Sequence, residues 1–598
     1  MAAGAEISWR RQALGRRAGT LALVLLVGFL FIWPVAMLFI GIFRSAPPGL
    51  PGEWTLNALV RTFTSRDTYS ALGNSVIYAI ATTSLATLLG AAFAFLATRT
   101  TVRLRQCITP VMLLVFAAPN LFYAISWALL ADPSTGLLNA AARFVTQSQI
   151  NPFNGYSWTG LIVVQSLKLT GFCYLLLLGP FEAMNRSFEE ASLIAGAGRL
   201  RTVLLIDIPL MTPAIFGVVI VGTVFGLGAF DIPQILGGLA GISVLSTEIF
   251  RAVNFSVPPD YARASALGLF MVFALALLLI IQWRVVKAGR FVTMTGKAYK
   301  QDRWDLGGWS AVGTASIAIF TIVALLLPIT QLVLTSFQPA IGVYKLTLKN
   351  FQAVLADRQT VRAFQVTAEL AVLSGLLAMV LATWFGHVGR RSPRWLERYL
   401  DTATLVPIVL PGVVLAVGLL WAYVSTPGLR ELYGTFWLAL IGLVVAIMPI
   451  ASRAVRGALA QIAKDLEEAA AVSGASSTRV LIDIVVRLMS RSFVSGWLVT
   501  AVIAAGALDI PLMLLSPTQP SVAILVYSHL ISGIPTEAAT LLVLLLLAII
   551  AIALLFAGAN AVMGIVRRRP VDHMAAPASR TDNQPAGGMV RAQLERPV

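Results

Sequence analysis

Charge is the first shortage. Only 12% of the 598 residues are Asp, Glu, Lys or Arg, about half the roughly 25% usual in a soluble globular chain. Hydrophobic residues make up 58%, and the mean hydropathy is +0.83. Histidine and cysteine are scarcer still, at three and two. His387 and His529 stand alone near the ends of apolar segments. Cys107 and Cys173 lie in or beside such segments without a CxxC spacing, so neither a metal site nor a disulfide is assigned. A GxxxxGK[ST] loop is also missing: the Gly-Lys pair, Gly296-Lys297, is followed by Ala298 and lacks the upstream glycine, which excludes ATP binding by this chain. No nucleophile, protease or redox motif stands out, and no polar stretch is long enough for a substrate-binding domain. The chain is not an enzyme on its own.

What is abundant is apolar sequence in runs near twenty residues, the length that crosses a hydrocarbon core. Twelve candidate spans lie near 21–43, 71–96, 109–131, 159–181, 211–238 and 262–285, then near 311–336, 364–386, 402–424, 435–450, 492–516 and 536–562. The first is too long for a signal-peptide core and lacks a clear cleavage site, so it reads as an anchored helix. The net charge of +17 does not point to nucleic acid. Basic residues cluster between alternate runs: Arg10, Arg11, Arg16 and Arg17, then Arg99, Arg103 and Arg105, then Arg390, Arg391, Arg394 and Arg398, then Arg567 to Arg569. That alternation is the positive-inside signature; it puts both termini in the cytoplasm and makes lipid headgroups the partners of these clusters.

An internal repeat sets the architecture. Glu190-Ala191-Ser192 with Gly196 returns as Glu468-Ala469-Ala470 with Gly474, and Ala229-Phe230-Asp231-Ile232-Pro233 returns as Ala507-Leu508-Asp509-Ile510-Pro511, both 278 residues later. Six spans per repeat give both copies the same orientation, with a pseudo-twofold along the membrane normal and a translocation path on it. The expected organisation is a first repeat over 1–290, a basic cytoplasmic linker over 291–306 and a second repeat over 307–570. A tail over 571–598 has too few large apolar residues to order itself.

The strongest motif lies between the fourth and fifth spans of each repeat, over 189–210 and 467–488. The first copy reads Glu190-Ala191-Ser192, Gly196, then Ile206-Asp207-Ile208-Pro209; the second reads Glu468-Ala469-Ala470, Gly474 and Ile484, with Arg487 in place of the proline. Small residues at Ala191, Ser192 and Ala195 give a helix a face that another surface can approach closely. Gly196 or Gly198 can take the left-handed conformation that ends the helix, and Pro209 fits where the chain re-enters the membrane. The bland alternative is an amphipathic interfacial helix pair.

This pattern resembles the EAA motif of ABC-importer permeases. Pro152-Phe153-Asn154-Gly155-Tyr156-Ser157 with Gly160, Thr135-Gly136-Leu137-Leu138-Asn139 and Phe291 to Tyr299 are similar to segments of the ferric-iron type. The resemblance implies an all-α membrane protein of the type I ABC-importer permease fold, with twelve transmembrane helices as two parallel six-helix repeats in the bacterial inner membrane. It also implies that Glu190, Ala191, Gly196, Pro209, Glu468, Ala469 and Gly474 couple the chain to a homodimeric ATPase that holds ATP and Mg, and that a periplasmic protein delivers substrate. Ferric iron is the substrate expected, with thiamine, polyamines and aminophosphonates as alternatives within the class. A gradient-driven secondary transporter is the rival from outside it, and a membrane scaffold without transport is a second.

Ionisable groups inside spans are the remaining signal, since each costs about 2.5–3.5 kcal/mol on insertion scales and such groups usually face a cavity. Asp231 and Asp509 occupy matching positions and either line the axial path or cap broken helix ends beside Pro233 and Pro511. Lys168, in the fourth span, either pairs with an acid such as Asp231 or attracts an anionic or chelated substrate. Pro119 and Pro411 kink the third spans, near the path or as plain packing kinks.

Overall fold

The computed structural model describes residues 18–185, 187–288, 303–343 and 345–567. Arg10, Arg11, Arg16 and Arg17, the 291–299 segment with most of the linker, Arg568, Arg569 and the 571–598 tail lie outside the described residues. In the first half the helices are α1 (Ala18–Gly41), α2 (Asn57–Thr64), α3 (Arg66–Arg99), α4 (Arg105–Ala117), α5 (Asn120–Leu130), α6 (Leu137–Thr146) and α7 (Trp158–Ala183). These are followed by α8 (Ser187–Ile194), α9 (Arg199–Gly228), α10 (Pro233–Ala240), α11 (Leu245–Asn254) and α12 (Tyr261–Ala288). The second half begins with α13 (Trp309–Ser336), α14 (Lys349–Ala356), α15 (Arg358–Arg390), α16 (Arg394–Val409), α17 (Gly412–Val424) and α18 (Phe436–Ala460). It ends with α19 (Lys464–Val472), α20 (Ser477–Val480), α21 (Ser490–Ala505), α22 (Asp509–Leu514), α23 (Val522–Ile531) and α24 (Pro535–Arg567). Residues up to Leu546 form one compact unit; from Leu547 the described chain is the last part of α24.

Among the described residues nine helices are long and apolar enough to cross a membrane, and three bent pairs pass the same test together: α4–α5 at 95°, α10–α11 at 83° and α16–α17 at 116°. The chain is all-helical and multi-pass, as the hydropathy predicts. Three expected boundaries are corrected. The span placed at 211–238 ends at Gly228, because an extended Ala229-Phe230 link leads into Pro233, which has no N–H to continue the ladder. The span placed at 492–516 is the shorter α21, which stops before Gly506. The short span placed at 435–450 is a full helix running to Ala460.

Proline sites shape the helices in register. A π-turn at Gly28–Ile32 precedes Pro34, and another at Ile322–Leu326 precedes Pro328. Such turns absorb the bond that a proline cannot donate. The Tyr123 hydroxyl donates to the Ala324 carbonyl within the second turn at 3.0 Å, and the Tyr399 hydroxyl to the Val24 carbonyl at 2.9 Å. Both bonds cross from one half to the other.

The halves exchange their first helices. Within each half, α3 packs with α7 and α9, and α15 with α18 and α21; α1 packs on α17 of the second half, and α13 on α5 of the first. Small residues permit the crossing of α1 and α17, because a Cβ at Gly418 would stand 2.7 Å from the Pro34 carbonyl and one at Gly41 2.5 Å from the Trp421 ring. A Gly418→Leu substitution must displace that backbone, at the roughly 1–3 kcal/mol typical of overpacking. It is expected to lower the thermal midpoint of the purified chain, whereas Gly217→Ala, which meets open space, leaves it in place. Equal midpoints would mean that this crossing does not hold the halves together.

Candidate docking and pathway sites

Both copies of the repeated motif fold as a helix, a tight turn and a second short helix. In the first, α8 ends in a Schellman turn: Gly196 N–H donates to the Leu193 carbonyl and Ala197 N–H to the Ser192 carbonyl, each at 3.0 Å, with Gly196 at φ +84°. In the second, Ala475 N–H donates to the Ala470 carbonyl at 3.0 Å and Gly474 also has φ +84°. Glycine takes this conformation without the Cβ clash that other residues suffer. Of the two glycines open at this turn, Gly196 is the left-handed one, and Gly198 begins α9 with φ −70°. The Ser192 hydroxyl meets the Thr202 hydroxyl at 2.9 Å across the first turn. Ala470 and Val480 hold the matching positions in the second.

The two turns present the same surface. Glu190 and Ala191 are exposed on the first, as is Ala469 on the second; the side chain of Glu468 lies outside the described residues. Ile194 is 88% exposed and its counterpart Val472 90%, and Leu204 and Ile482 are likewise bare. An apolar side chain held out in solvent at the same place in two copies is suited to contact with another protein. Pro209 follows the π-turn Val203–Asp207 inside α9. In the second copy the matching π-turn, Leu481–Val486, runs into Arg487, and the helix breaks before α21.

In the membrane the bent third span of each half meets the end of the fifth-span helix of the other half. Pro119 caps α5 and Pro411 caps α17. Gly506 lies so close to Pro119 that an added Cβ would be 2.7 Å from its ring, and Gly228 approaches Pro411 at 3.5 Å in the same way; each contact joins one half to the other. Asp231 and Asp509 complete this layer. The Asn120 side chain, first in α5, faces the Asp231 carboxylate. The Asp509 carboxylate fills the space that a Cβ would take at Gly412, first in α17, and accepts from Ile510 N–H at 2.8 Å. Each acid therefore stands at the N-terminus of a bent helix, where backbone N–H groups point outward and favour negative charge. The two carboxylates are close enough to repel each other, and buried Asp231 Oδ1 has no hydrogen-bond partner.

Lys168 serves the other side of the first break. Its Nζ donates to the carbonyls of Val115 at 3.0 Å, Phe116 at 2.7 Å and Ala118 at 2.5 Å, at the C-terminal end of α4. Asp231 is near enough to be felt electrostatically, but the two form no ion pair. Lysine thus takes helix-end carbonyls in place of the carboxylate expected for it.

A family model for the binding-protein-dependent transport system inner membrane component matches residues 86–288 and again 374–571. The chain belongs to this family. As a binding-protein-dependent inner membrane component it is a multi-pass ABC-importer permease. It is similar to a putative ferric transport system permease protein, FbpB 1, of Haemophilus influenzae, at 26% identity over 497 residues, 82% of this chain and 76% of that one. The ferric transport system permease protein FbpB of Actinobacillus pleuropneumoniae is 25% identical over 492 residues, 81% of this chain and 69% of its own. A solved bacterial ABC transporter that imports alginate aligns with 48% of this chain and 99% of its own at TM-score 0.35 and 18% identity.

One part of this permease's docking site was missed in the sequence, where Arg99 was counted only among charges that set orientation. Arg99 and Glu189 are each 1% exposed and 3.6 Å apart, and Arg99 Nη2 donates to the Met184 carbonyl at 2.6 Å. Asp207 is buried beside them, near enough to interact with both. The repeat offers the signal: Arg390 ends α15 as Arg99 ends α3, and donates to the carbonyls of Leu459 and Ile462 at 3.0 Å each. Met184 and Ile462 are 278 residues apart, in register with the motif. Arg99 thus ties the C-terminal end of α3 to α8, the first helix of the candidate docking motif. Arg99→Leu strands a buried carboxylate, a loss of about 3–5 kcal/mol for such pairs. It is expected to lower the thermal midpoint more than the double variant Arg99→Leu/Glu189→Leu does. A double variant no better than the single one would contradict the pairing.

Proposed function

We propose that this permease is the membrane subunit of an ATP-driven importer for ferric iron, with both termini in the cytoplasm. The observation that carries the reading is the duplicated, glycine-ended helix–turn–helix with Ile194 and Val472 held out in register. These segments dock in a homodimeric ATPase, which binds ATP and Mg; Glu190, Ala191, Pro209, Glu468 and Ala469 belong to the same docking segments. A loaded periplasmic protein docks at the opposite end. ATP-driven closure of the ATPase pair draws the two turns together and rocks the halves, and hydrolysis resets them. This alternating access requires ATP and the loaded binding protein to prefer the outward-open state, since a ligand that binds both states equally shifts nothing.

Iron is favoured by the two relatives named for ferric transport and by the chemistry of the closed layer. Asp231 and Asp509 offer paired carboxylates where the halves meet, hard oxygen donors for a passing hard cation. Lys168, already bonded to three carbonyls, adds little reason to prefer an anionic cargo. Thiamine, polyamines and aminophosphonates remain substrates to test against iron.

Uptake of labelled ferric iron into cells carrying the permease with its co-encoded partners is expected to depend on ATP. A non-glycine residue in the left-handed conformation costs about 1–2 kcal/mol, so Gly196→Val and Gly474→Val together are expected to lower uptake by about tenfold at unchanged expression. Uptake that survives ATP depletion and collapses with an ionophore would make this a secondary transporter. Loss of iron uptake alone, with ATPase stimulation by another loaded binding protein, would keep the class and discard iron.

The acids are tested separately. Asp231→Asn with Asp509→Asn keeps the shape and a hydrogen-bonding group at each helix end while removing the charge. Uptake is expected to fall severalfold at intact expression. Unchanged uptake would reduce both residues to helix caps.

A further inference from the structure

Two short helices, α2 and α14, have no part in docking or in the closed layer. Each stands one residue before a core helix, with Ser65 between α2 and α3 and Asp357 between α14 and α15. Their sequences differ, Asn57-Ala-Leu-Val-Arg-Thr-Phe-Thr against Lys349-Asn-Phe-Gln-Ala-Val-Leu-Ala, but their surfaces coincide 292 residues apart. Ala58 and Thr62 are buried, as are Asn350 and Val354. Trp54, Leu56 and Phe63 are 68%, 57% and 46% exposed, and Leu346, Leu348 and Leu355 are 73%, 59% and 58%. Phe63 and Leu355 lie in the helices and the other four in the links that lead into them, so the two segments, different in sequence, keep three matching bare apolar positions and share a surrounding that rewards them.

Depth identifies that surrounding. Phe63 packs on Phe270 with ring centroids 4.7 Å apart, and Phe270 lies nine residues into the membrane helix α12, about 13 Å along its axis at about 1.5 Å per residue. At the head of α12, Arg61 pairs with Asp260 at 3.3 Å. So two side chains of α2, only two residues apart, reach the polar start of α12 and an aromatic ring within its span. Charges rim the same region in both halves: Arg44 lies over the Trp54 ring at 5.2 Å and Arg66 is exposed nearby beside Glu53 and Asp67, while Lys345, Lys349 and Arg358 are exposed around α14 with Asp357. A tryptophan, bare aliphatic groups and cations at the end of a span form the composition that settles at a membrane interface and favours anionic headgroups.

We propose that α2 and α14 are interfacial helices lying in the leaflet opposite the docking turns, their apolar positions in the acyl boundary and their cations against anionic headgroups. They fix the outer ends of α3 and α15 in the bilayer. The other ends of these same helices carry Arg99 and Arg390, beside the docking segments. Lipid is the occupant because half-bare Phe63 packs on a ring inside the span of α12, and the matching Leu355 is bare at the same place before α15; a soluble partner would cover these positions from above that level.

The test uses the full chain reconstituted in vesicles containing phosphatidylglycerol. Cys107 is exposed and is changed to Ser, whereas buried Cys173 is kept. Nitroxide labels at Phe63→Cys and Leu355→Cys are expected to collide with oxygen more than with a water-soluble nickel chelate, and a label at Ile194→Cys to show the inverse ratio. Nickel access at 63 and 355 like that at 194 overturns the proposal, as does protection that arises only when a binding protein is added. A second measurement leaves the cysteines alone: brominated lipids quench the native chain, and Trp54→Phe is expected to lose part of that quenching. No difference between the two chains would sink the assignment for α2.

Discussion

A helix that breaks inside a bilayer has no water to complete its hydrogen bonds, and this constraint organises the centre of the permease. Pro119 and Pro411 break both third spans, and each break leaves carbonyls on one side and N–H groups on the other. In the first half Lys168 takes three of the freed carbonyls. In the second half the chain tightens into a 3₁₀ turn, Val406–Val409, with Leu410 N–H donating to the Pro407 carbonyl. On the N–H side the solutions agree, an acid at each helix start. Because each break lies against the opposite half, two caps with local duties come near one another where the halves meet.

The same breaks join the halves. Gly228 and Gly506 end their helices against Pro411 and Pro119 of the opposite half, so neither bent span can move without its neighbour. The exchanged helices α1 and α13 spread this link over the length of the bundle. At the docking end Arg99 and Arg390 tie the core helices α3 and α15 to backbone of the segments that carry the turns. Each turn is thereby joined to a core helix through a polar contact, and in the first half the buried partners cannot separate without exposing charge to an apolar interior.

The sequence made the class and the repeat legible because both rest on local signals. Span length, alternating basic clusters and a motif repeated at one offset survive any detail of packing, and α8 with Gly196 and α19 with Gly474 fold as the glycine spacing requires. Helix ends were harder. Hydropathy cannot see that the link after Gly228 is extended, since Ala229 and Phe230 are as apolar as the helix before them, and the bent pair α10–α11 went unforeseen. The partner of Lys168 was also out of reach, because backbone carbonyls freed by a distant proline leave no mark in residue types. Arg99 is visible in the sequence as one of the basic residues between spans, and its match with Arg390 at the end of the corresponding helix marks the tie that the charge pattern alone does not show.

The repeat is not a symmetric one, and the departures are concentrated where the chemistry is. Lys168, Asn120, Asp207 and Ser192 stand opposite Ala446, Gly412, Val485 and Ala470, so the first half carries the polar member at each of these positions. Duplicated sequence would give a path whose two walls are alike, and rocking halves need no such difference. At the broken third spans the first half holds its helix end by the Lys168 side chain, while the second holds its own by a backbone turn and close packing. The Gly412–Asp509 contact leaves no room for a second occupant, whereas the first half has the polar side chain of Asn120 at the matching place. On this argument Asp231, with an unbonded buried oxygen and a polar neighbour that can rotate, is the more adaptable of the two acids, and Asp509 the fixed one.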